Sequence, residues 1–283
     1  MDYEKQLEHL IKEALAEDIG PGDYSTLSSI DRSAKGKAVL RVKQDGVLAG
    51  MEVAEKIFRF KQPDISFLPS KRDGDMMKYG ETAFEVLADV HTILMCERLV
   101  LNCMQRMSGI ATLTKMYVDK LEGYHTKLLD TRKTTPNFRL LEKRAVKIGG
   151  GVNHRFGLYD MIMLKDNHID FCGGITKAIR KANDYIKKNN LDLKIEVETR
   201  SLQEVEEVLS EGQVYRIMLD NYSPADLQTA VQLINGRFET EASGGITLDN
   251  IRDYAATGVD YVSSGAIIHQ AKSLDLSLKA VVI

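Results

Sequence analysis

The chain lacks several features that would have fixed its class at once. Only five prolines occur in 283 residues, and no Pro/Gly-rich linker, charge block or low-complexity stretch divides them. No apolar run approaches 18 residues, which removes a membrane-spanning helix. The opening Met1-Asp2-Tyr3-Glu4-Lys5 has no apolar core, so no signal peptide is expected. The three cysteines, Cys96, Cys103 and Cys172, form no C-x-x-C pair and cannot all pair with one another, which points to a reduced, cytoplasmic setting. Nor is there an excess of positive charge: 38 basic against 41 acidic side chains give a net charge of −3. A nucleic-acid binder working by bulk charge is thereby excluded, although a local basic pocket is not.

What is present is ordinary globular composition, 43% hydrophobic and 28% charged, in a chain long enough to bury most of its apolar surface. The first half reads as mixed α/β. A helix is expected at 3–16, strands at 36–42 and 81–88, and a helix between them at 51–60. From Asp89 a long helix is predicted, because Ile93, Cys96, Val100, Cys103, Met107 and Ile110 recur at steps of three and four. Two cysteines fall on that stripe and read as core. Arg98, Asn102 and Gln105 lie on another face, either solvated or lining an interface or site.

The second half alternates. Short β-rich runs at 127–130, 161–164, 194–197, 216–219, 238–242 and 261–263 are separated by helical segments at 138–148, 175–188, 202–210, 225–234 and 248–257. Such alternation specifies right-handed βαβ units and a parallel sheet, here a closed or nearly closed β/α barrel with six of the usual eight strands visible. The tail, 277–283, alternates weakly and is expected to return as a strand to the first domain. The expected domains are therefore 1–112 joined by 271–283, and 113–270.

Every strand of the second half runs into residues suited to a charged ligand. The six tips carry Arg132-Lys133-Thr134, Lys165-Asp166-Asn167-His168, Glu198, Asp220-Asn221, Ser243-Gly244-Gly245 and Ser264-Gly265-Ala266. In parallel β/α architecture the C-terminal strand ends converge on one rim, where ligands bind. One such tip is readily a cap or surface turn; six in succession are not. The charges are also sorted: residues 127–166 hold nine basic and four acidic side chains, +5 within a chain of −3. Arg139, Lys143 and Lys147, at i, i+4 and i+8, are expected on the wet face of a helix. Arg132, Lys133, Arg155 and Lys165, with His154 beside Arg155, are not explained that way. Paired guanidinium groups suit a small dicarboxylate or a phosphorylated ligand.

Gly149-Gly150-Gly151 is either a helix C-cap or a binding loop. The Ser-Gly-Gly and Ser-Gly-Ala turns stand where β/α barrels favour phosphate, with Thr247 and Asp249 as candidate start residues of the next helix. Glu198 and Asp220 suit sugar hydroxyls or Mg²⁺, or else pair with neighbouring lysines.

The motifs Asp130-Thr131-Arg132-Lys133-Thr134-Thr135-Pro136, Gly149-Gly150-Gly151-Val152-Asn153-His154-Arg155 and Lys165-Asp166-Asn167-His168 resemble those of the quinolinate phosphoribosyltransferases. So do Glu196-Val197-Glu198, Leu219-Asp220-Asn221, the stretch Glu241 to Asn250, and, in the first half, Glu17-Asp18 to Gly22-Asp23 and Glu97-Arg98 to Thr112. The resemblance spans nearly the whole chain in order. It implies an N-terminal open-faced α/β sandwich plus an incomplete six-stranded, TIM-like β/α barrel. It also implies transfer of phosphoribose from phosphoribosyl pyrophosphate to quinolinate with decarboxylation, using Mg²⁺. Arg132, His154, Arg155 and Lys165 would hold the quinolinate carboxylates, with Arg98 reaching in from the neighbouring subunit of a homodimer (or of a hexamer of dimers). Lys133, Thr134, Glu198, Asp220, Ser243, Gly244, Gly245, Ser264, Gly265, Ala266 and His269 would surround the donor. Lys133, Glu198 and Asp220 would act in catalysis. Mg²⁺ would be held mainly by the donor's pyrophosphate, with Glu198 and Asp220 as candidate protein ligands. Two other enzyme readings share these residues: a Schiff-base aldolase using Lys165, and a paralogous phosphoribosyltransferase with another pyridine acceptor. A non-catalytic sugar-phosphate binder is a third class, and it leaves the paired acidic positions without a role.

Overall fold

The computed structural model describes residues 2–281, and the chain forms two compact units. The first comprises residues up to 115, 134–150 and from 267 onward. It opens with helices α1 (Tyr3–Ile19) and α2 (Tyr24–Ser29), each started by an aspartate, Asp2 and Asp23, whose carboxylate accepts a backbone N–H of the first turn. Strand β1 (Lys35–Val42), the short β2 (Gly46–Val47) and α3 (Met51–Lys61) follow, then β3 (Ser66–Pro69), β4 (Met76–Met77), β5 (Thr82–Asp89) and the long α4 (Val90–Lys120).

The main sheet of this unit is antiparallel, and its order is completed by the last strand of the chain: β12 (Leu276–Val281) lies beside β1, followed by β5 and β3. The tail thus returns to the first domain as expected; Val282 and Ile283 lie outside the described residues. One face is apolar. Phe58 of α3 meets Phe84 of β5 edge-to-face, ring centroids 6.3 Å apart. The six stripe residues of α4 are all buried, each burial contributing about 1.5–3 kcal/mol for a side chain of that size. Gly109 lets α4 pass the returning tail, since a Cβ there would overlap the Lys272 carbonyl.

The second unit comprises 116–133 and 151–266. In chain order the remaining elements are β6 (Lys127–Leu129), α5 (Arg139–Ile148, grouped with the first unit), β7 (Ile162–Leu164), α6 (Asp166–Cys172), α7 (Ile175–Asn189), β8 (Ile195–Thr199), α8 (Leu202–Glu211), β9 (Arg216–Asp220), α9 (Pro224–Ile234), β10 (Glu239–Ser243), α10 (Ile251–Ala255), β11 (Tyr261–Ser263) and α11 (Ala266–His269), the last entering the first unit again. The six strands form one parallel sheet in the order β6-β11-β10-β9-β8-β7. Sequence neighbours are spatial neighbours throughout, apart from one seam between β6 and β7. This is the incomplete six-stranded β/α barrel. At the seam the free side of β6 is covered by chain, not by a strand: Val152 bridges Leu129, its N–H donating to the Leu128 carbonyl.

Two local expectations are corrected. Lys143 does not face water; it is 1% exposed, because α5 packs on more than one side and buries Leu141 through Lys143 together with Ala145 and Val146. The helix expected at 248–257 is only α10, because Asn250 closes the preceding turn. Its side chain accepts the Thr247 N–H at 2.7 Å and donates to the Gly245 carbonyl at 3.0 Å. Gly149 and Gly150 cap α5, their N–H groups donating to the Ala145 and Lys147 carbonyls.

Candidate active site

Parallel strands present alternate side chains to one face, so their register stacks the residues of the second unit in layers. Glu239 and Glu196 both pair with Arg216, Glu241 with Met218, and Ser243 with Asp220. Glu196 and Glu198 therefore share a face, as do Arg216, Met218 and Asp220. The upper layer consists of the strand tips: Lys165, Glu198, Asp220, Ser243 and Ser264 follow one another around the sheet. Lys165 Nζ lies 3.6 Å from Glu198 Oε2. Burial pushes Glu198 above the usual carboxylate range; Lys165 opposes this and the charge of Asp220 adds to it.

The tips are tied to one another. Asn221, at φ +58, donates its N–H to the Ser243 carbonyl, and its side-chain amide donates to Asp220 Oδ2 at 2.6 Å. Gly244, at φ +95, packs so closely on Asn221 that a Cβ would overlap Oδ1, whereas a Cβ on Gly245 would meet nothing. Ser264 closes the circuit, its N–H donating to Leu129 and its hydroxyl to Ile246 at 3.1 Å. Arg132 and Lys133 follow the tip of β6. Asp130, fully buried, accepts the His154 N–H at 2.8 Å and so brings His154-Arg155 to that tip. Burial, together with the nearby Arg132 guanidinium, lowers the proton affinity of Arg155, whose Nη1 donates to the Met161 carbonyl at 3.3 Å.

Beneath the tips lies an ionic layer. His154 Nε2 is 3.0 Å from Glu196 Oε2 and 3.2 Å from Glu241 Oε2, and Arg216 Nη1 is 3.1 Å from Glu241. Burial disfavours charge on His154, but the two carboxylates outweigh it and push the imidazole up to about 9. The Arg155 N–H donates to His154 Nδ1 at 2.6 Å, which favours the Nε2–H tautomer. Nε2 faces the two carboxylates at ion-pair distance. Burial and Glu241 push Glu196 up; Glu241 is itself held down by His154, Arg216 and Ser263 in spite of its burial. His154, Glu196 and Glu241 bring ligand atoms within 4.8 Å of one another, a spacing a metal ion could use, but Arg216 and the imidazole already supply the positive charge.

The structure thus gathers Arg132, Lys133, His154, Arg155, Lys165, Glu198, Asp220, Ser243, Gly244, Gly245, Ser264, Gly265 and Ala266 at one end of one sheet. Arg98, Thr134 and His269 belong to the first unit. Arg98 is exposed on α4, His269 is exposed at the end of α11, and Thr134 Oγ1 accepts from Arg139 Nε at 3.0 Å. Asp130, Glu196 and Glu241 stand in the motifs of the resemblance, but sequence reasoning assigned them no site role, and Arg216 was not named as a site residue. The signal was there: charged residues at every second position of strands buried on both faces.

An α/β protein whose incomplete barrel carries cationic, acidic and glycine-bearing tips on one rim belongs to the class of barrel enzymes that handle small anionic substrates. Two family models match: the quinolinate phosphoribosyl transferase N-terminal domain over residues 23–108 and its C-terminal domain over 110–279. The chain is 46% identical over 288 aligned positions to the chloroplastic nicotinate-nucleotide pyrophosphorylase [carboxylating] of Arabidopsis thaliana, covering 96% of this chain and 82% of that one. It is 41% identical to the probable nicotinate-nucleotide pyrophosphorylase [carboxylating] of Bacillus subtilis, covering 96% and 93%. The crystal structure of NadC from Streptococcus pyogenes superposes with a TM-score of 0.91 at 42% identity, covering 98% of each chain. The chain belongs to the quinolinate phosphoribosyltransferase family.

Proposed function

We propose that this protein transfers the phosphoribosyl group of phosphoribosyl pyrophosphate to quinolinate, releasing pyrophosphate and CO₂ and forming nicotinate mononucleotide, a step of NAD biosynthesis. The observation that carries this reading is the sorting of the rim. Arg155 lies near Arg132, and burial together with that second guanidinium lowers the proton affinity of Arg155, beside tips whose carboxylates, Glu198 and Asp220, suit ribose hydroxyls. In this reading Arg132, Arg155, His154 and Lys165 form the acceptor pocket, with Arg98 supplied by the second subunit of a homodimer or of a hexamer built from dimers. Lys133, Thr134, His269 and the Ser243–Gly245 and Ser264–Ala266 turns bind the donor.

As the bond from C1 of the ribose to pyrophosphate breaks, Glu198 and Asp220 stabilise the cation-like centre and Lys133 meets the charge leaving with pyrophosphate. The pyridine nitrogen of quinolinate, held by its two carboxylates, forms the new bond to C1. The resulting pyridinium accepts the electron pair of the adjacent C–CO₂ bond, and the ring carbon then takes a proton from solvent. Glu198 and Asp220 offer hard oxygen donors on adjacent strand tips, a set that fits Mg²⁺. Glu198 and Asp220 would help the donor hold the ion, which would supply charge neutralisation to the leaving group. A Schiff-base role for Lys165 finds no support, since its amine is half exposed and paired with Glu198 instead of lying in an apolar pocket.

Among the described residues no helix is long and apolar enough to cross a membrane, and the reading takes a cytoplasmic location. The test is incubation with quinolinate, phosphoribosyl pyrophosphate and Mg²⁺. Nicotinate mononucleotide should appear only when both substrates are present. Its absence, or borohydride trapping of Lys165 with a carbonyl compound, would overturn the reading.

A further inference from the structure

Outside the rim, the first unit holds an ion pair between a partly exposed arginine and a buried glutamate for which the proposed chemistry has no use. Glu142 on α5 is fully buried. Arg106 on α4 approaches its Oε1 with Nε at 2.9 Å and Nη2 at 2.8 Å. The pair also bonds two other segments. Glu142 Oε2 accepts the Thr135 N–H at 2.8 Å, and Oε1 accepts the Thr135 hydroxyl at 3.0 Å. Arg106 Nη1 donates to the Ala271 carbonyl at 2.7 Å and Nη2 to the Ile268 carbonyl at 2.9 Å. One guanidinium and one carboxylate therefore join α4, α5, the turn after Thr134 and the chain on both sides of His269.

We propose that Arg106 and Glu142 are positioning residues for the phosphoribosyl donor: their ion pair fixes, as one unit, the two segments that carry Thr134 and His269. The inference rests on the function proposed above, which places those two residues at the donor.

A buried carboxylate needs several hydrogen bonds for its lone pairs, and any neighbouring segment could have supplied them. Here all four hydrogen bonds beyond the pair go to backbone or hydroxyl groups within three residues of Thr134 or His269, and none to the apolar core. The planar fork of Arg106 reaches Glu142 and two carbonyls at once, which a lysine's single ammonium on a flexible stem does not reproduce. A glutamine at 142 keeps the shape but turns an N–H₂ toward donors that need an acceptor.

The experiment uses Arg106→Lys and Glu142→Gln in the full chain, so that a folding failure of one leaves the other. Backbone amide exchange should accelerate together in 134–138 and 267–271 in either variant. The KM for phosphoribosyl pyrophosphate should rise at least tenfold while the KM for quinolinate stays within twofold. A purely structural pair would lower the melting temperature and leave the ratio of the two KM values unchanged; that result overturns the proposal. So does acceleration confined to one of the two segments. If the wild type forms no nicotinate mononucleotide, the functional reading beneath the proposal fails, a result distinct from normal wild-type turnover with an unchanged donor KM in the variants.

Discussion

His154 Nε2 lies 3.0 Å from Glu196 Oε2, in a layer where both side chains are closed off from water. The carboxylates of Glu196 and Glu241 raise the imidazole from its ordinary 6.5 to about 9 in the folded protein. A group whose folded pKa lies above its unfolded one stabilises fully below the unfolded value and loses that contribution as pH rises through the folded value. Thermal unfolding of wild type and His154→Gln should therefore differ most near pH 6, with the difference shrinking steadily up to pH 10. A constant difference across that range would show that the ring gains nothing from its carboxylates.

Arg216 is the fixed cation of the same layer, paired with Glu241 at 3.1 Å and with Glu239 at 2.7 Å. Removing one member of a buried ionic group leaves its partners uncompensated, at a cost of about 3–5 kcal/mol. Arg216→Met should be destabilised by that order in urea unfolding. Arg216→Met combined with Glu241→Gln should recover part of it, because the second change removes a charge the first had orphaned. A double variant no better than the single one would contradict the pairing.

At the rim, Gly244 combines a left-handed backbone with direct contact on Asn221. Gly244→Ala should displace the Asp220-Asn221 tip and raise the KM for the donor by about tenfold, since strain of this kind costs on the order of 1–3 kcal/mol. Gly245→Ala, with open space around its Cβ but also at positive φ, should bear a smaller penalty. Steady-state kinetics with varied donor separates the two.

Losing one guanidinium from a buried carboxylate contact costs about 2–5 kcal/mol. Arg132→Ala and Arg155→Ala should each lower kcat/KM for quinolinate at least a hundredfold. Near-normal kinetics in both would remove the dicarboxylate pocket.

Much of this was legible in the sequence, and the reasons are physical. The barrel strands were readable because parallel strands buried on both faces are short apolar runs, and their tips because ligand-binding types cluster where strands end. The α4 stripe from Ile93 to Ile110 was readable because a core-facing helix must repeat its apolar residues. Burial of Lys143 was not readable: spacing at i and i+4 places residues on one face but does not say that the face is covered. The strands β3 and β4 were too short to show a period, and α6 begins directly at a strand tip, so Lys165 to His168 read as a ligand-binding tip and not as the start of a helix. The ionic layer of His154, Glu196, Arg216 and Glu241 depends on which strands are neighbours. Alternation alone marks the residues, and only the sheet order β8-β9-β10 brings them together. The pairing of Arg106 with Glu142 joins residues 36 positions apart and left no local trace.

The proposed chemistry needs a rim shaped for two carboxylates beside a phosphoribosyl donor. Its most direct test is the wild-type kcat/KM for quinolinate against that for nicotinate, which lacks the second carboxylate, with the same donor and with CO₂ measured alongside. The geometry predicts a preference for quinolinate of at least a hundredfold and one CO₂ per nucleotide formed. Comparable rates with nicotinate, or nucleotide formed from quinolinate without CO₂, would contradict it.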